Sequence, residues 1–295
     1  MSPRCKVTAK YEGAIPELRR FFAGVFLIEI EIDDDGVVED FMFPDGATLR
    51  FNAQDGVAGN TRSGQHLAST RLAVSGPRSQ EVYVRTTSLR QWGVLFHPLG
   101  WSRLVGKPAS DYANRLVDGM QDPAFARFRP LAETLFGAEP DADAELQRLI
   151  AFCRTLESYE EPAAPAIIAT YEALHDPEVV NVDKLVLRAG ITRRTLERLC
   201  QRTFGFPPKL LLRRQRFVRS LAQFIADPSL KWVGALDAGY HDQSQFVRDF
   251  REFMGMTPTE FRLREKPVIE PVMRARIRYD EELRQALAKG CALIS

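Results

Sequence analysis

Two stretches of the chain, residues 189–208 and 238–258, carry one pattern, which matches at an offset of 50 residues when counted back from the later glycine of each. In each, a small residue and a glycine precede an amphipathic segment, and a second glycine and a proline follow it. Self-similarity at a fixed spacing indicates a duplicated structural unit. The pattern predicts two helix-turn-helix units, which can contact two segments of DNA major groove. The matching positions are Leu196 and Phe246, Arg198 and Arg248, Gly205 and Gly255, and Pro208 and Pro258.

The length and composition are those of a globular protein with room for two domains. The chain has 295 residues, of which 45% are hydrophobic and 27% charged. The most apolar stretch, residues 21–30, contains Glu29 and falls short of the roughly 18 apolar residues of a membrane span. Residues 1–5 do not begin a hydrophobic signal segment. We therefore expect a cytoplasmic protein without a membrane partner.

The formal net charge of +1 conceals an uneven distribution. Residues 182–265 contain 16 Lys and Arg against 9 Asp and Glu, a net charge of +7, and the remainder carries −6. A basic module beside a mildly acidic one favours phosphate contact by one part of the chain only.

The hydrophobic patterning predicts an α+β N-terminal domain, mainly an antiparallel sheet followed by helices, and an all-α C-terminal domain. Two prolines in residues 160–165 interrupt helical patterning and mark the linker. The predicted domains are 1–160, 165–265 and a C-terminal extension, 266–295. Strands are predicted at 23–32, 37–43, 47–52, 81–85 and 91–96, and N-terminal helices at 110–117, 124–136 and 142–156.

The C-terminal domain is predicted to join its two helix-turn-helix units by a long helix. This helix covers residues 208–226, about 19 residues and so roughly 28 Å, close to the ~34 Å between successive major-groove faces. Its apolar residues form one stripe, with Arg213, Arg214 and Arg219 elsewhere. Further helices are predicted at 166–175, 182–189, 192–204 and 231–236, the last destabilised by Gly234, and a short one at 280–289 before Gly290.

Residues 166–264 resemble the DNA-binding domain of the AraC/XylS-type transcription regulators. The second repeat carries the most specific part of the resemblance, residues 239–246, followed by Arg248, Phe250, Gly255, Thr257, Pro258, Phe261 and Arg262. The resemblance implies a sequence-specific regulator with seven helices, of which the third and sixth enter adjacent major-groove segments. The implied base-reading positions are Arg193, Arg194, Glu197 and Arg198 in the first unit, and Gln243, Ser244, Val247 and Arg248 in the second.

The N-terminal part resembles, more weakly, the sensor segment of some of these regulators. The resemblance rests on residues 44–52, 96–101 and 104–106. It implies a sensor or dimerisation domain and names no ligand.

Physical chemistry leaves alternatives open at several of these residues. An arginine at the start of a recognition helix can donate two hydrogen bonds to a guanine base. It can also contact only phosphate, or pair with Glu197. Asp242 is best explained as the N-cap of the second recognition helix. The spacing of the apolar residues in both units predicts core rather than base stacking. These residues are Leu196, Leu199, Phe204, Phe246, Phe250, Phe253 and Phe261.

A second candidate site lies where the predicted sheet meets the first helix. Aromatic walls with a few polar groups are typical of small-molecule pockets, although ordinary core packing explains the same residues. No nucleophile–base pair, metal-ligand spacing or cofactor motif accompanies them, and residues 33–40 lack the ligand alternation of a calcium loop. The candidate effector-pocket residues are Trp92, Phe96, His97, Trp101 and Arg103.

The sequence therefore predicts a transcription regulator with double-stranded DNA as its partner. A small-molecule effector, a second copy of the chain in a homodimer, and RNA polymerase are further candidate partners. Two rival hypotheses remain: an enzyme tethered to DNA, and a redox sensor that acts through its cysteines. Cys200 occupies a core-like position and is expected to be inert. The other three are Cys5, Cys153 and Cys291.

Overall fold

The computed structural model describes residues 4–12, 16–19, 21–33, 36–226, 237, 239–240 and 242–288. Its N-terminal part contains two antiparallel sheets. The six-stranded sheet has the order β1-β2-β9-β4-β7-β10, and the four-stranded sheet has the order β3-β8-β5-β6. The strands are β1 (Cys5–Glu12), β2 (Phe22–Ile32), β3 (Val38–Met42), β4 (Thr48–Asn52), β5 (Val57–Thr61), β6 (His66–Leu67), β7 (Leu72–Ser75), β8 (Val82–Thr86), β9 (Leu89–Phe96) and β10 (Leu116–Asp118).

The five predicted strands are present with shifts of one or two residues, and the structure adds five more. The first of these, β1, alternates half-buried residues such as Val7 and Tyr11 with exposed Lys6 and Lys10. Alternation of apolar and polar residues is the sequence signature of a strand with one buried face, so β1 was predictable. The two-residue strand β6 and the three-residue strand β10 are too short to give such a signal.

The helices of the described chain follow the sheets and then fill the C-terminal part. The N-terminal helices pack on the six-stranded sheet around a core that includes Phe51, Val94 and Leu149. The helices are α1 (Pro16–Arg19), α2 (Pro98–Leu104), α3 (Arg129–Thr134), α4 (Ala142–Thr155), α5 (Ala164–His175), α6 (Val182–Ala189), α7 (Arg193–Leu199), α8 (Pro208–Ala226), α9 (Gln243–Met254), α10 (Pro258–Leu263) and α11 (Ile269–Ala288).

The helix predicted at residues 110–117 is wrong. A single 3₁₀ turn, Ala109–Tyr112, is followed by strand β10. Asn114 has φ +55°, a left-handed conformation that ends helical geometry, and its Oδ1 accepts a hydrogen bond from the Ser79 backbone N–H at 2.7 Å. This contact spans 35 residues of sequence, so the local pattern does not reveal it.

The connecting helix α8 has its predicted bounds, Pro208–Ala226. Gly190 ends α6 with φ +66°, and Thr192 caps α7 by accepting a hydrogen bond from the Thr195 backbone N–H. Helix α7 continues into one turn of π-helix, Cys200–Phe204.

The C-terminal extension forms a helix eleven residues longer at its start than predicted. Helix α11 begins at Ile269, and Pro271 lies in its first turn, where a missing backbone N–H breaks no helical hydrogen bond. It packs on β1, β3 and α8. The carboxylate of Asp40 in β3 accepts hydrogen bonds from the Val268 and Ile269 backbone N–H groups, both at 2.8 Å. The sheet domain therefore caps this helix.

Some predicted features lie outside the described residues: the helix at 231–236 with Gly234, residues 34–35 of the acidic turn, Gly290, and Cys291. Within the described part of the chain, no helix is long and apolar enough to cross a membrane.

Candidate functional site

The first predicted recognition helix, α7, presents its polar face to solvent. Leu196 and Leu199 are buried in the core of the first unit, which α5, α6, α7 and the start of α8 form. Because the two leucines face inward, the opposite side of the helix faces solvent. The four predicted base-reading residues of this unit are exposed: Arg193, Arg194, Glu197 and Arg198.

The arginines of α7 differ in their pairing. Arg193 donates to the Asp183 carboxylate of α6 at 2.5 Å. Arg194 and Arg198 form no ion pair with any described residue. Their guanidinium groups are therefore unpaired among the described residues, whereas that of Arg193 is held by Asp183. The alternative pairing with Glu197 does not occur for any of the three among the described residues.

The second recognition helix, α9, is built in the same way. Asp242 caps it by accepting a hydrogen bond from the Gln245 backbone N–H at 2.7 Å. Phe246 and Phe250 are fully buried, so the helix presents its other face to solvent. Of the predicted base-reading residues in this unit, Gln243, Ser244 and Arg248 are exposed and Val247 is half-buried.

The arginines of α8 are occupied by contacts within the protein, although the sequence placed them outside the apolar stripe. Arg213 and Arg216 both pair with the buried Asp249 of α9, at 2.5 and 3.1 Å. Arg219 pairs with Asp237 at 2.6 Å. Arg214 is 9% exposed and donates to backbone carbonyls of the sheet domain. These side chains fix α8 against its neighbours.

The sheet domain also holds the end of the second recognition helix. Arg62, between β5 and β6, pairs with the buried Glu81 and donates to the Glu252 backbone carbonyl at 2.7 Å. A cation at a helix C-terminus is stabilised by the helix dipole. The position of α9 is therefore tied to the sheets.

The five residues proposed as an effector pocket lie in packed protein. Trp92 and Trp101 are at most 1% exposed, and their indole N–H groups donate to Glu145 and to the Lys107 carbonyl. Phe96 packs edge-on against Trp101, and Arg103 lies in the same helix. The His97 ring lies 4.4 Å from the Tyr171 ring at a tilt of 58°, and burial lowers its pKa to about 4, so it is uncharged at neutral pH. None of the five lines the cavity described next.

A cavity of about 120 Å³ lies between the two sheets. Strands of both sheets form its walls, and one side is closed by α11. The walls are mostly aliphatic, with Ile28, Val74, Val84 and Val272 among them.

Charged side chains gather at one part of the cavity wall: Arg50, Arg78, Arg276 and Asp45. Arg276 pairs with Asp45, and Arg50 has a hydrogen bond to Thr48 but no ion pair with a described residue. Arg78 is 2% exposed, and its Nε has no hydrogen-bond partner. Burial, and then the neighbouring Arg50, lower the pKa of Arg78 to about 9, so it remains charged at neutral pH. Three cations against one anion make this part of the wall electropositive.

This cavity was not predictable from the sequence, because its charged groups come from distant parts of the chain. Arg50 is in β4, Arg78 follows β7, and Arg276 is in α11. The only local signal was the presence of arginine in a strand with otherwise buried residues, Thr48–Asn52.

The described cysteines do not have the character of reactive thiols. Burial raises the pKa of Cys153 and of Cys200 to about 12, and it also raises that of Cys5. The thiolate is the reactive form, so these groups are poor redox sensors at neutral pH. In the described residues, no group of three His, Cys, Asp or Glu side chains is placed to hold a metal ion.

Comparison with known proteins identifies the family of one part of the molecule. Residues 185–264 match the family "Helix-turn-helix domain". A search of curated proteins found no match. Among solved structures, ToxT from Vibrio cholerae is similar at 10% identity, with 87% of this chain and 96% of that chain covered and a TM-score of 0.42. The AraC-like transcriptional activator CuxR is similar at 12% identity, with 82% and 91% covered and a TM-score of 0.27. Residues 185–264 are therefore an AraC-type helix-turn-helix domain, and the chain that carries them is a DNA-binding transcription regulator.

Proposed function

We propose that this regulator contacts two segments of major groove, one through each recognition helix, and that a small acid bound between its sheets controls it. The observation that carries the DNA part is the exposure of Arg194, Arg198 and Arg248 without an ion pair to any described residue. The observation that carries the ligand part is the buried Arg78, which lines the cavity and whose Nε has no hydrogen-bond partner.

The spacing of the two units supports the first part. Helix α8 has 19 residues and so is about 28 Å long. Recognition helices on two units that such a helix joins suit adjacent major-groove segments, which lie about 34 Å apart on one face of B-DNA. Each helix then contacts its own part of the binding site.

Selection of bound sequences from random duplex DNA tests the two-segment mechanism. Arg194→Ala and Arg198→Ala should relax base preference in one half of the site, and Gln243→Ala and Arg248→Ala in the other. A lost base contact should cost roughly 1–3 kcal/mol at a few positions. Arg85→Ala is the matched control, since Arg85 is an exposed arginine of the sheet domain. Uniform weakening for all sequences, or overlapping changes by both pairs, would contradict the mechanism.

The cavity determines what kind of ligand is proposed. A cavity of about 120 Å³ is comparable to the engineered ~150 Å³ apolar cavity that binds benzene. Its walls take an apolar body of that size, and the arginines take an anionic group, because Arg78 Nε and Arg50 have donors to spare. A buried donor without a partner is unfavourable by about 1–3 kcal/mol, which a carboxylate oxygen would relieve.

Binding of benzoate, measured by calorimetry, tests this part, with benzamide as the matched neutral compound and a long-chain fatty acid as a test of size. Benzoate should bind, and benzamide and the long-chain acid should bind at least tenfold more weakly, a difference of about 1.4 kcal/mol. Arg50→Leu should abolish the preference for the acid, while Arg85→Ala should leave it unchanged. Equal binding of benzoate and benzamide would refute the acid class.

Self-association and contact with RNA polymerase stay predictions from the sequence. Sedimentation of the chain with and without its selected DNA tests the first. The enzyme hypothesis has no supporting side-chain cluster in the described residues, and a turnover screen on the full chain tests it.

A further inference from the structure

Helix α11 has two buried faces that contact two different parts of the molecule. Residues three or four apart lie on one face of a helix, and rows that differ by one position lie about 100° apart. One row, Val268, Val272 and Arg276, lines the cavity. The adjacent row begins at Ile269, which lines the cavity as well, and continues through Met273 and Ile277 in the core of the second helix-turn-helix unit.

We propose that α11 couples the cavity to the second recognition helix, so that the cavity's occupant changes DNA contact in one half of the site only. The proposal concerns regulation at the cavity and rests on the proposed function for the identity of the ligand. The coupling itself is a property of the packing and can be tested without that ligand.

Side chains on the cavity row and one turn beyond it bind α11 to the sheets. Arg276 pairs with Asp45 and lies over the Phe43 ring, 5.7 Å from its centroid. One turn later, Tyr279 stacks on Tyr11, which also lines the cavity, at 5.4 Å. An acid at Arg78 would compete with Asp45 for the surrounding guanidinium groups, since all of them lie on the same wall. A change there moves the helix that carries Arg276.

The row that contains Met273 connects α11 to the core of the second unit, so that a movement of α11 changes the packing of that core. Met273 is 1% exposed in the cluster that also contains Phe217 of α8 and Phe246, Phe250 and Phe253 of α9. Closely packed side chains leave little free volume, so a shift of one helix must displace its neighbours. The first unit has a separate core, and no described residue of α11 belongs to it. The predicted response therefore reaches α9 and the part of α8 that belongs to this core, and leaves α7 unchanged.

The start of α11 is held through its backbone, whereas its later turns are held through side chains. Asp40 is 3% exposed and binds the backbone N–H groups of Val268 and Ile269. A helix held at its first turn can pivot about that end. Arg276, two turns further on, is where the cavity acts on it.

The experiment replaces the ligand by a larger side chain. Val272→Phe adds bulk on the cavity row, and Arg278→Phe places the same phenyl group on the exposed face of the same helix. Hydrogen exchange should show lower protection in α9 for Val272→Phe and no change in α7, with neither helix affected by Arg278→Phe. Binding to duplexes with either half of the selected site scrambled should fall about fivefold or more, only where the second unit's half is intact.

Asp45→Asn provides a second variant that adds no bulk and weakens the pairing of Arg276. It should shift α9 protection without shifting α7. Equal changes in α7 and α9, or unchanged α9 while protection of α11 falls, would overturn the coupling. The exchange readout needs neither ligand nor DNA site, so failure of acid binding or of sequence selection would refute the proposed function and leave this inference to be decided separately.

Discussion

The two helix-turn-helix units share a sequence pattern but differ in what surrounds them. The core of the first unit includes Leu99 from α2. The core of the second includes Phe41 and Phe43 from the sheet domain and Met273 from α11. The two units therefore contact different parts of the N-terminal region: the first packs on α2 and on the turn Ala109–Tyr112, and the second on the sheets and α11. The difference teaches that a change at the sheets or at α11 reaches the second unit first.

One pair of equivalent positions in the repeat shows how the surroundings of the two units differ. At the offset of 50, Leu199 of the first unit corresponds to Asp249 of the second. Leu199 is buried among apolar side chains, whereas Asp249, 2% exposed, receives Arg213, Arg216 and the Tyr240 hydroxyl. Orientation of the recognition helix rests on apolar packing in one unit and on a buried ionic network in the other.

The largest expected effect comes from cavities made in the two cores. Phe250→Ala and Leu196→Ala, both at fully buried positions, should destabilise by roughly 3–5 and 2–5 kcal/mol, because each leaves unfilled volume. Urea unfolding measures the loss. Hydrogen exchange should show that Phe250→Ala also lowers protection in α11 and β3, while Leu196→Ala leaves both unchanged. Equal spread from both sites would remove the distinction between the units.

Removing the ionic network should have the next largest effect. Asp249→Ala leaves two arginines without their common partner, and we expect a loss of about 2–4 kcal/mol, near the low end for a buried pair because Arg213 is partly exposed. Leu199→Ala is the counterpart in the first unit. Selected-sequence profiles should show a defect in the second half of the site for Asp249→Ala and in the first half for Leu199→Ala.

Glycines at two helix ends allow a smaller comparison. Gly190 and Gly255 have φ +66° and +67°, so alanine at either should cost on the order of 1–2 kcal/mol in backbone strain. Gly190 has no described atom within 4 Å of an added Cβ, but at Gly255 the Cβ would lie 2.5 Å from Glu81 Oε1. Thermal unfolding should therefore show a greater loss for Gly255→Ala. An equal loss would mean that the Glu81 side chain, with its partner Arg62, can move away from the added Cβ without lowering the stability.

The smallest expected effect tests what the units have in common. Thr192→Ala and Asp242→Ala each remove an N-cap, worth about 1 kcal/mol. Because both caps serve only their own helix, the two losses should be similar and should add in the double variant. A markedly larger loss for Asp242→Ala would show that the second helix also needs its cap to keep the interdomain contacts.

Features that depend on neighbours in sequence were predictable, and those that depend on distant contacts were not. Thr192 and Asp242 cap helices that begin one residue later, and Gly190 ends a helix at the residue itself, so short patterns reveal them. The exposed positions of α7 and α9 follow from helical periodicity in the same way. The bounds of α8 follow from Pro208 at its start.

The cavity and the start of α11 required the folded structure. As a sequence pattern, the aromatic residues Trp92, Phe96 and Trp101 are compatible with a pocket or with a packed core. In the structure all three are buried, and the Trp92 indole N–H donates to Glu145 of α4. Likewise, Pro271 looks like a helix breaker until Asp40 is seen to supply the cap three residues earlier. No local pattern contains either partner.

The capping of α11 by Asp40 makes the sensor part a discontinuous domain. The chain leaves the sheets near residue 160, completes the DNA-binding domain, and returns to the sheets at Val268. A hybrid regulator made by exchanging the segment before residue 160 alone would pair one protein's sheets with another's final helix. The exchangeable part is that segment together with residues 266–288, and a hybrid that carries both keeps its cavity wall, its helix cap and its Arg276–Asp45 pair intact.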